Sequence, residues 1–456
     1  MTREEFLDQV ESQIRCEKAH TAIREELKDH IEDQEECFLQ MGKDKAEAEE
    51  LAVKEMGDPV VVGTELDKIH RPKVDWILPA MALGLSVIGV IMQCLIFPSM
   101  DNSVVQNAYP WRTIFYNFVG FGFMLFFYFL DYRLIARYAG LLWAVLLAIG
   151  FCIRISEIGC NYKNWFMMSN LLWKLQLPIV IGIIYRFREQ RLAGLLKSIG
   201  VFVGNTFVFC FVLGLNLASS WYVYMIAGSF IILYAIIRNH FGGKKGVLIS
   251  TWMAVFVGIP GVYVVDIFAF GGARTGLATY QIMRLRALFE YWIPWMESDV
   301  TGNSYVLNQI SMDIQNATLF GTRSLGFAGD YAGAYSEYVL TGLISYWGIG
   351  VGILVIGLIA AFLYRALRLS NAQKNMFGKL LGMGLTVSLL VSSFFSVLAN
   401  LGFFVGTSIE IPFLSYGKIA TWMNYIYLGL ILSVYRYSFV FGESVPCKKF
   451  RLVKTR

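Results

Sequence analysis

Charge is what this chain has least of. Only 16% of its 456 residues are Asp, Glu, Lys or Arg, against 56% hydrophobic. That balance excludes a soluble globule, whose surface needs about a quarter of its residues charged. Organised cysteine chemistry is also missing. The seven cysteines (Cys16, Cys37, Cys94, Cys152, Cys160, Cys210 and Cys447) are scattered, with no CxxC pair and no histidines at ligand spacing, which argues against a zinc site or a disulfide framework. No serine constellation for nucleophilic catalysis can be assembled, and no internal repeat is strong enough for an inverted-repeat transporter. The chain is charged from Arg3 onward, so no cleavable signal peptide is expected and the first apolar helix acts as the insertion signal.

What is present is a series of ten apolar segments, near 76–97, 113–130, 139–153, 165–185, 198–217, 221–237, 247–270, 338–363, 379–399 and 418–435. Most approach the roughly 20 residues that span a bilayer as a helix, and the third borrows from its flanks. The expected fold class is therefore all-α: a polytopic membrane protein with about ten transmembrane helices. Residues 1–75 hold 21 of the 34 acids but 11 of the 39 bases, so an acidic head precedes a basic body. The basic excess follows topology and does not suggest nucleic-acid binding. With the N-terminus inside, the inner loops hold Arg133, Arg137, Arg186, Arg188, Arg191, Lys197, Arg238, Lys244, Lys245, Arg365, Arg368, Lys374 and Lys379, whereas the short outer loops hold Arg112, Arg154 and Lys163. That asymmetry places both termini in the cytoplasm and the protein in the plasma membrane.

Three parts follow from this pattern. Residues 1–72 read as a charged cytoplasmic helical domain, with Lys28 and Glu32 at i, i+4 spacing, a break at Gly42, a helix from Lys43 to Met56 and a stop at Gly57-Asp58-Pro59. The pattern resembles the small helical prefix domains that precede many bacterial permeases. The membrane domain covers 76–436, and a basic cytoplasmic tail covers 437–456. One outer loop, 271–337, is far longer than a connection needs, and loops of that length usually carry function. Its Tyr280, Trp292, Pro294 and Trp295 suit the headgroup level of a membrane.

Motifs in that frame resemble the SEDS family (shape, elongation, division and sporulation proteins such as FtsW, RodA and SpoVE). Asp131-Tyr132-Arg133 repeats a family tripeptide after the second span. Tyr280-Gln281 with Arg284, then Pro294, Asp299, Gly302, Tyr305 and Gln309, resembles the family's YQxxR, proline-aspartate-glycine and GYQxxQS elements. Leu319-Phe320-Gly321 and Leu325-Gly326 resemble LFGKGLG; Asn400-Leu401-Gly402 resembles NIG; and Pro412 to Gly417 resembles LPFxSYGG. There are departures. Alignment through Gly348 puts Glu337 on the family's catalytic aspartate, within PExHTDFIFA. QPSE reads Met168-Ser169-Asn170-Leu171, although Lys174 matches the lysine three residues on. QPDLGT reads Gly214 to Ser219, LPxTG shortens to Thr407-Ser408-Ile409-Glu410, and Lys418 replaces the second glycine of SYGG.

The resemblance implies a peptidoglycan glycosyltransferase that polymerises a lipid-linked disaccharide-peptide at the outer face, with a single-span transpeptidase as partner. Such chemistry needs a general base for the attacking hydroxyl and cations for the departing pyrophosphate. Glu337 is the expected base. The structural alternative, an acid marking a helix entrance, stands beside it. Asp330 is the rival base, although a solvated loop acid is the usual state of such a residue. Arg274, Arg284, Arg286, Arg323 and Lys418 are candidate pyrophosphate ligands, with headgroup snorkelling the alternative for each. Lys174, inside an apolar run, suggests a polar cavity between helices, with snorkelling to an interface the alternative, and the same two readings apply to Asp266 near the end of the seventh span. Ser415 and Tyr416 join the expected substrate-binding set. Magnesium, held by one or two carboxylates and the substrate phosphates, is compatible with the reaction, but the sequence contains no dedicated ligand cage. Two rival functions remain: a scaffold of a cell-wall synthesis complex that kept the fold and lost the chemistry, and a flippase or transporter of the lipid-linked precursor.

Overall fold

The computed structural model describes residues 1–96, 110–156, 162–213, 220–262, 303–321, 336–403 and 409–438. All regular structure among them is helical. Four helices lie in the acidic head: α1 (Arg3–Gln13), α2 (Glu17–Gln40), α3 (Lys45–Glu55) and α4 (Pro59–His70). Thr2 and Glu5 form a reciprocal capping box that starts α1. The expected stop at Gly57-Asp58-Pro59 also starts the next helix: the Asp58 carboxylate accepts the Val60 N–H at 2.8 Å and Pro59 fills the first turn. Buried Asp67 of α4 holds the α1–α2 connection, accepting from the Arg15 backbone N–H at 3.0 Å and side chain at 3.1 Å. Arg24 of α2 bridges Asp8 and Glu11 of α1 at 2.7 Å each.

The membrane body consists of α5 (Ile77–Ile96), α6 (Pro110–Phe129), α7 (Arg133–Ser156), α8 (Tyr162–Tyr185), α9 (Arg191–Phe207), α10 (Ser220–Ile237), α11 (Lys245–Met253), α12 (Asn303–Gln315), α13 (Val339–Trp347), α14 (Ile349–Asn371), α15 (Met376–Asn400) and α16 (Lys418–Arg436). Wider π turns continue α9 over Val208–Val212 and α11 over Ala254–Gly258. Among the described residues nine helices are long and apolar enough to cross a membrane. The tenth expected span is α16. Lys418, Trp422, Asn424 and three tyrosines dilute its apolar character, yet most of it is buried against α6 and α15. This is a polytopic, all-helical membrane protein.

Two spans differ from the expected pattern. The third is a 24-residue helix, because Arg133 and Arg137 belong to its first turns and extend it past the apolar run. The eighth, read as one segment over 338–363, is two helices broken at Gly348. Gly348 has φ +94° and ψ 168°, a region essentially confined to glycine. The break is bonded from outside: Ile349 and Gly350 donate their N–H groups to the carbonyls of Thr318 and Leu319 at 2.9 and 3.0 Å, and Gly321 donates to Trp347 at 3.0 Å. Leu319-Phe320-Gly321 is thus the strap across the α13–α14 joint.

α15 is buried along most of its length and packs against α8, α10, α14 and α16, so it is the axis of the bundle. At one end of that axis, Asp75 caps Leu78 at 2.8 Å and pairs with Arg365 of α14 at 2.5 Å, while Lys73 donates its backbone N–H to the Arg436 carbonyl at 3.1 Å. The start of the first span is thereby tied to the ends of α14 and α16.

Candidate functional site

α15 carries Phe377 in its first turn and Asn400 at its end, roughly 35 Å apart at 1.5 Å per residue. Asp131-Tyr132-Arg133 belongs to the Phe377 end. Tyr132 stacks on the Phe377 ring at 5.9 Å, and Asp131 pairs with Arg133 at 3.0 Å, so the tripeptide fixes the α6–α7 turn to the start of α15. It lies at the opposite end of α15 from the candidate chemistry.

The Asn400 end is where Glu337 lies. Glu337 is half-buried in the turn that opens α13, and buried Asn400 holds that turn from across the bundle. The Asn400 amide donates to the Glu337 carbonyl at 2.7 Å and to the Ser396 carbonyl at 2.8 Å. Its side-chain oxygen accepts the Thr341 N–H at 3.0 Å, and the Thr341 hydroxyl donates to the Asn400 backbone carbonyl at 2.7 Å. Thr341 N–H is one of the donors that a helix start leaves without an intrahelical partner, so Asn400 caps α13 from a distant segment. Tyr338, the residue after Glu337, is buried.

Ser415 and Tyr416 belong to the segment whose Glu410 reaches Lys174. The segment after α15 turns inward: Phe413, at φ +66°, packs against Phe362 of α14 at 5.3 Å and Tyr425 of α16 at 5.2 Å. A left-handed backbone at a bulky residue persists only where its surroundings hold it there. The Ser415 hydroxyl accepts the Ile411 N–H at 2.9 Å, so it builds this turn. Tyr416 lies beside Tyr116, with ring centres 6.3 Å apart. Glu410, which sequence reasoning noted only as part of a shortened motif, pairs with Lys174 of α8 at 3.7 Å. A signal was available: after Glu337 the chain has only two acids, Glu410 and Glu443, and an acid beside Ile409, Ile411 and Phe413 needs a partner.

Other candidates fall elsewhere. Lys418 is exposed and lies over the Trp422 ring at 4.9 Å, one turn along its own helix. Arg274, Arg284, Arg286, Arg323, Asp266, Asp299 and Asp330 lie outside the described residues. Among the described residues no three His, Cys, Asp or Glu side chains converge as a metal cage.

The chain is 25% identical over 169 residues to a probable peptidoglycan glycosyltransferase FtsW of Trichlorobacter lovleyi, covering 34% of this chain and 41% of that protein. It is 25% identical over 198 residues to the corresponding protein of Hydrogenovibrio crunogenus, covering 41% and 49%. The matched part is thus less than half the length of either relative. In fold, it resembles a chain from a peptidoglycan synthase complex described as coordinating polymerization and crosslinking, with a TM-score of 0.58 and 16% identity over 80% of this chain and 98% of that one. Residues 75–439, most of the sequence, match the cell cycle protein family of FtsW, RodA and SpoVE, and the chain belongs to that family.

Proposed function

We propose that this protein is a peptidoglycan glycosyltransferase that polymerises a lipid-linked disaccharide-peptide at the outer face of the plasma membrane, with both termini cytoplasmic. The observation that carries the reading is the clamped Glu337 turn: within a family whose relatives bear that activity, the residue aligned with the acid position is a carboxylate held by a buried cap. A sugar hydroxyl of one substrate attacks the anomeric carbon of the other. Glu337 accepts the hydroxyl proton as the new glycosidic bond forms, and the bond from that carbon to the lipid pyrophosphate breaks, its electron pair leaving with the pyrophosphate. Lys174, on the middle turns of α8 and paired with Glu410, is the described cation assigned to the phosphate charge; Arg284, Arg274 and Arg323 are assigned to the same task by resemblance. A single-span transpeptidase that cross-links the product is the proposed partner. Residues 1–72 form a cytoplasmic domain of their own.

The test is polymer formation from fluorescent lipid-linked precursor by purified protein, alone and with a transpeptidase. Glu337→Gln keeps the shape and removes the base, so the rate should fall about 10²–10⁴-fold while expression and membrane insertion persist. Glu337→Asp withdraws the carboxylate by one methylene and should keep part of the activity. Equal polymerisation by wild type and Glu337→Gln would remove Glu337 from the mechanism. One observation favours a non-catalytic scaffold instead: Leu171 stands at the acid of the family's QPSE. Wild type inert with every partner and metal condition, magnesium included, would select that reading.

A further inference from the structure

Glu410 has a neighbour at each carboxylate oxygen. Its Oε2 lies 3.7 Å from the Lys174 ammonium. The other carboxylate oxygen faces Gly417, where a Cβ would come within 3.0 Å of it. Gly417 is the residue from which α16 starts, so the carboxylate sits beside a helix N-terminus as well as a lysine. Both favour an anion. The segment that delivers Glu410 turns inward, with Ile411 and Ser415 bonded to each other, Phe413 wedged between Phe362 and Tyr425, and the Leu414 carbonyl against Gly89 of α5. Non-helical backbone at that depth is tolerated where it is buried in protein or lines a cavity. The Lys174 and Glu410 side chains keep 16% and 29% of their surface exposed, so the pair is not sealed off. At 3.7 Å the contact is an ion pair without the short charge-assisted hydrogen bond of a locked bridge.

We infer that Glu410 is an internal counter-ion occupying the anion seat of Lys174, and that a lipid pyrophosphate competes with it for that seat. The inference rests on the proposed function and adds to it the control of pyrophosphate retention. A free lysine in a low-dielectric crevice would hold a multiply charged product tightly. A carboxylate returning to the lysine as the product departs weakens that hold.

Binding to the full-length protein in detergent should be measured with geranylgeranyl pyrophosphate, geranylgeraniol and inorganic pyrophosphate. Glu410→Gln should bind geranylgeranyl pyrophosphate about tenfold more tightly, equivalent to about 1.4 kcal/mol. Glu410→Asp should stay near wild type, and Lys174→Met should bind more weakly. In the Lys174→Met background, Glu410→Gln should bring no tightening. Geranylgeraniol should be indifferent to every substitution. Tightening by Glu410→Gln of inorganic pyrophosphate alone would overturn the lipid as the competitor, and equal tightening of geranylgeraniol would overturn the charge argument. Unchanged or weaker pyrophosphate binding by Glu410→Gln would overturn the inference. Should Glu410→Gln fail to fold, Glu410→Cys in a chain lacking the native cysteines provides the same contrast. A negatively charged methanethiosulfonate should weaken pyrophosphate binding relative to a neutral one, and equal effects would overturn the inference. Polymerisation measured in parallel separates the two claims. The binding pattern without polymer sinks the polymerase reading alone, and polymer without the binding pattern sinks the counter-ion alone.

Discussion

Asn400→Ala would perturb the candidate base without touching it. The substitution removes four side-chain hydrogen bonds, to the Glu337 and Ser396 carbonyls and from the Thr341 N–H and hydroxyl. They do not count equally. The Ser396 carbonyl belongs to α15, and the Thr341 hydroxyl keeps its 2.7 Å bond to the backbone of residue 400. The buried Thr341 N–H loses its acceptor, at about 1–3 kcal/mol, and the Glu337 carbonyl, beside a half-buried side chain, loses a bond worth about 1 kcal/mol net. The sum, about 2–4 kcal/mol, is concentrated on the turn that aims Glu337. A 1 Å displacement of a catalytic group costs about 10²-fold in rate, so polymerisation of lipid-linked precursor should fall by about that factor in protein that still elutes as a monodisperse peak. Asn400→Asp keeps an acceptor for Thr341 but loses the donor to Glu337, and should therefore preserve more stability than activity. If Asn400→Ala polymerises at the wild-type rate, the clamp does not position the base.

Three further outcomes follow from the same geometry. Gly348→Ala would place a Cβ 2.7–2.8 Å from the Thr318 and Leu319 carbonyls and Phe320 Cα, at a φ that L-residues avoid; the α13–α14 joint should open, read as faster proteolysis between 318 and 350. Residues 1–72 expressed alone should give a helical spectrum, and Asp67→Asn should lower its melting temperature. The Arg15 backbone N–H first, then the charges of Arg15 and Arg71, hold the Asp67 carboxyl below its usual range. Its contribution is therefore complete above an unfolded value of about 3.9 and is lost as pH falls through the lower folded value, a loss that Asp67→Asn should abolish. Single cysteines at Gly302 and Gly243, in a chain lacking the native seven, should label from opposite faces of the membrane; labelling from one face would overturn the orientation.

Spans were legible because a bilayer demands length and apolarity, which composition records directly. Their ends and breaks depended on something else. The apolar run through Tyr338 to Leu363 gives no hint that it is two helices, since Gly348 reads as an ordinary membrane glycine until the carbonyls of Thr318 and Leu319 are found bonded to Ile349 and Gly350. The motif Leu319-Phe320-Gly321 was visible as a string while its work as a strap was not. Asp131-Tyr132-Arg133 is likewise visible as a string, and its Tyr132 stacks on Phe377, at the other end of α15 from Asn400.

The candidate site divides along the same line. Glu337 stands out in the sequence because an acid opening an apolar helix is rare enough to notice one residue at a time. Glu410 does not stand out in the sequence because its meaning is a pair separated by more than 230 positions, with a lysine on α8. A buried charge cannot be interpreted singly: Lys174 without a partner implies a cavity awaiting an anion, whereas Lys174 with Glu410 is a nearly neutral unit that an incoming anion must first separate. Sequence periodicity describes which face a residue takes within its own helix. It contains no term for an irregular segment folding inward from the next connection, which is how the carboxylate reaches the lysine here.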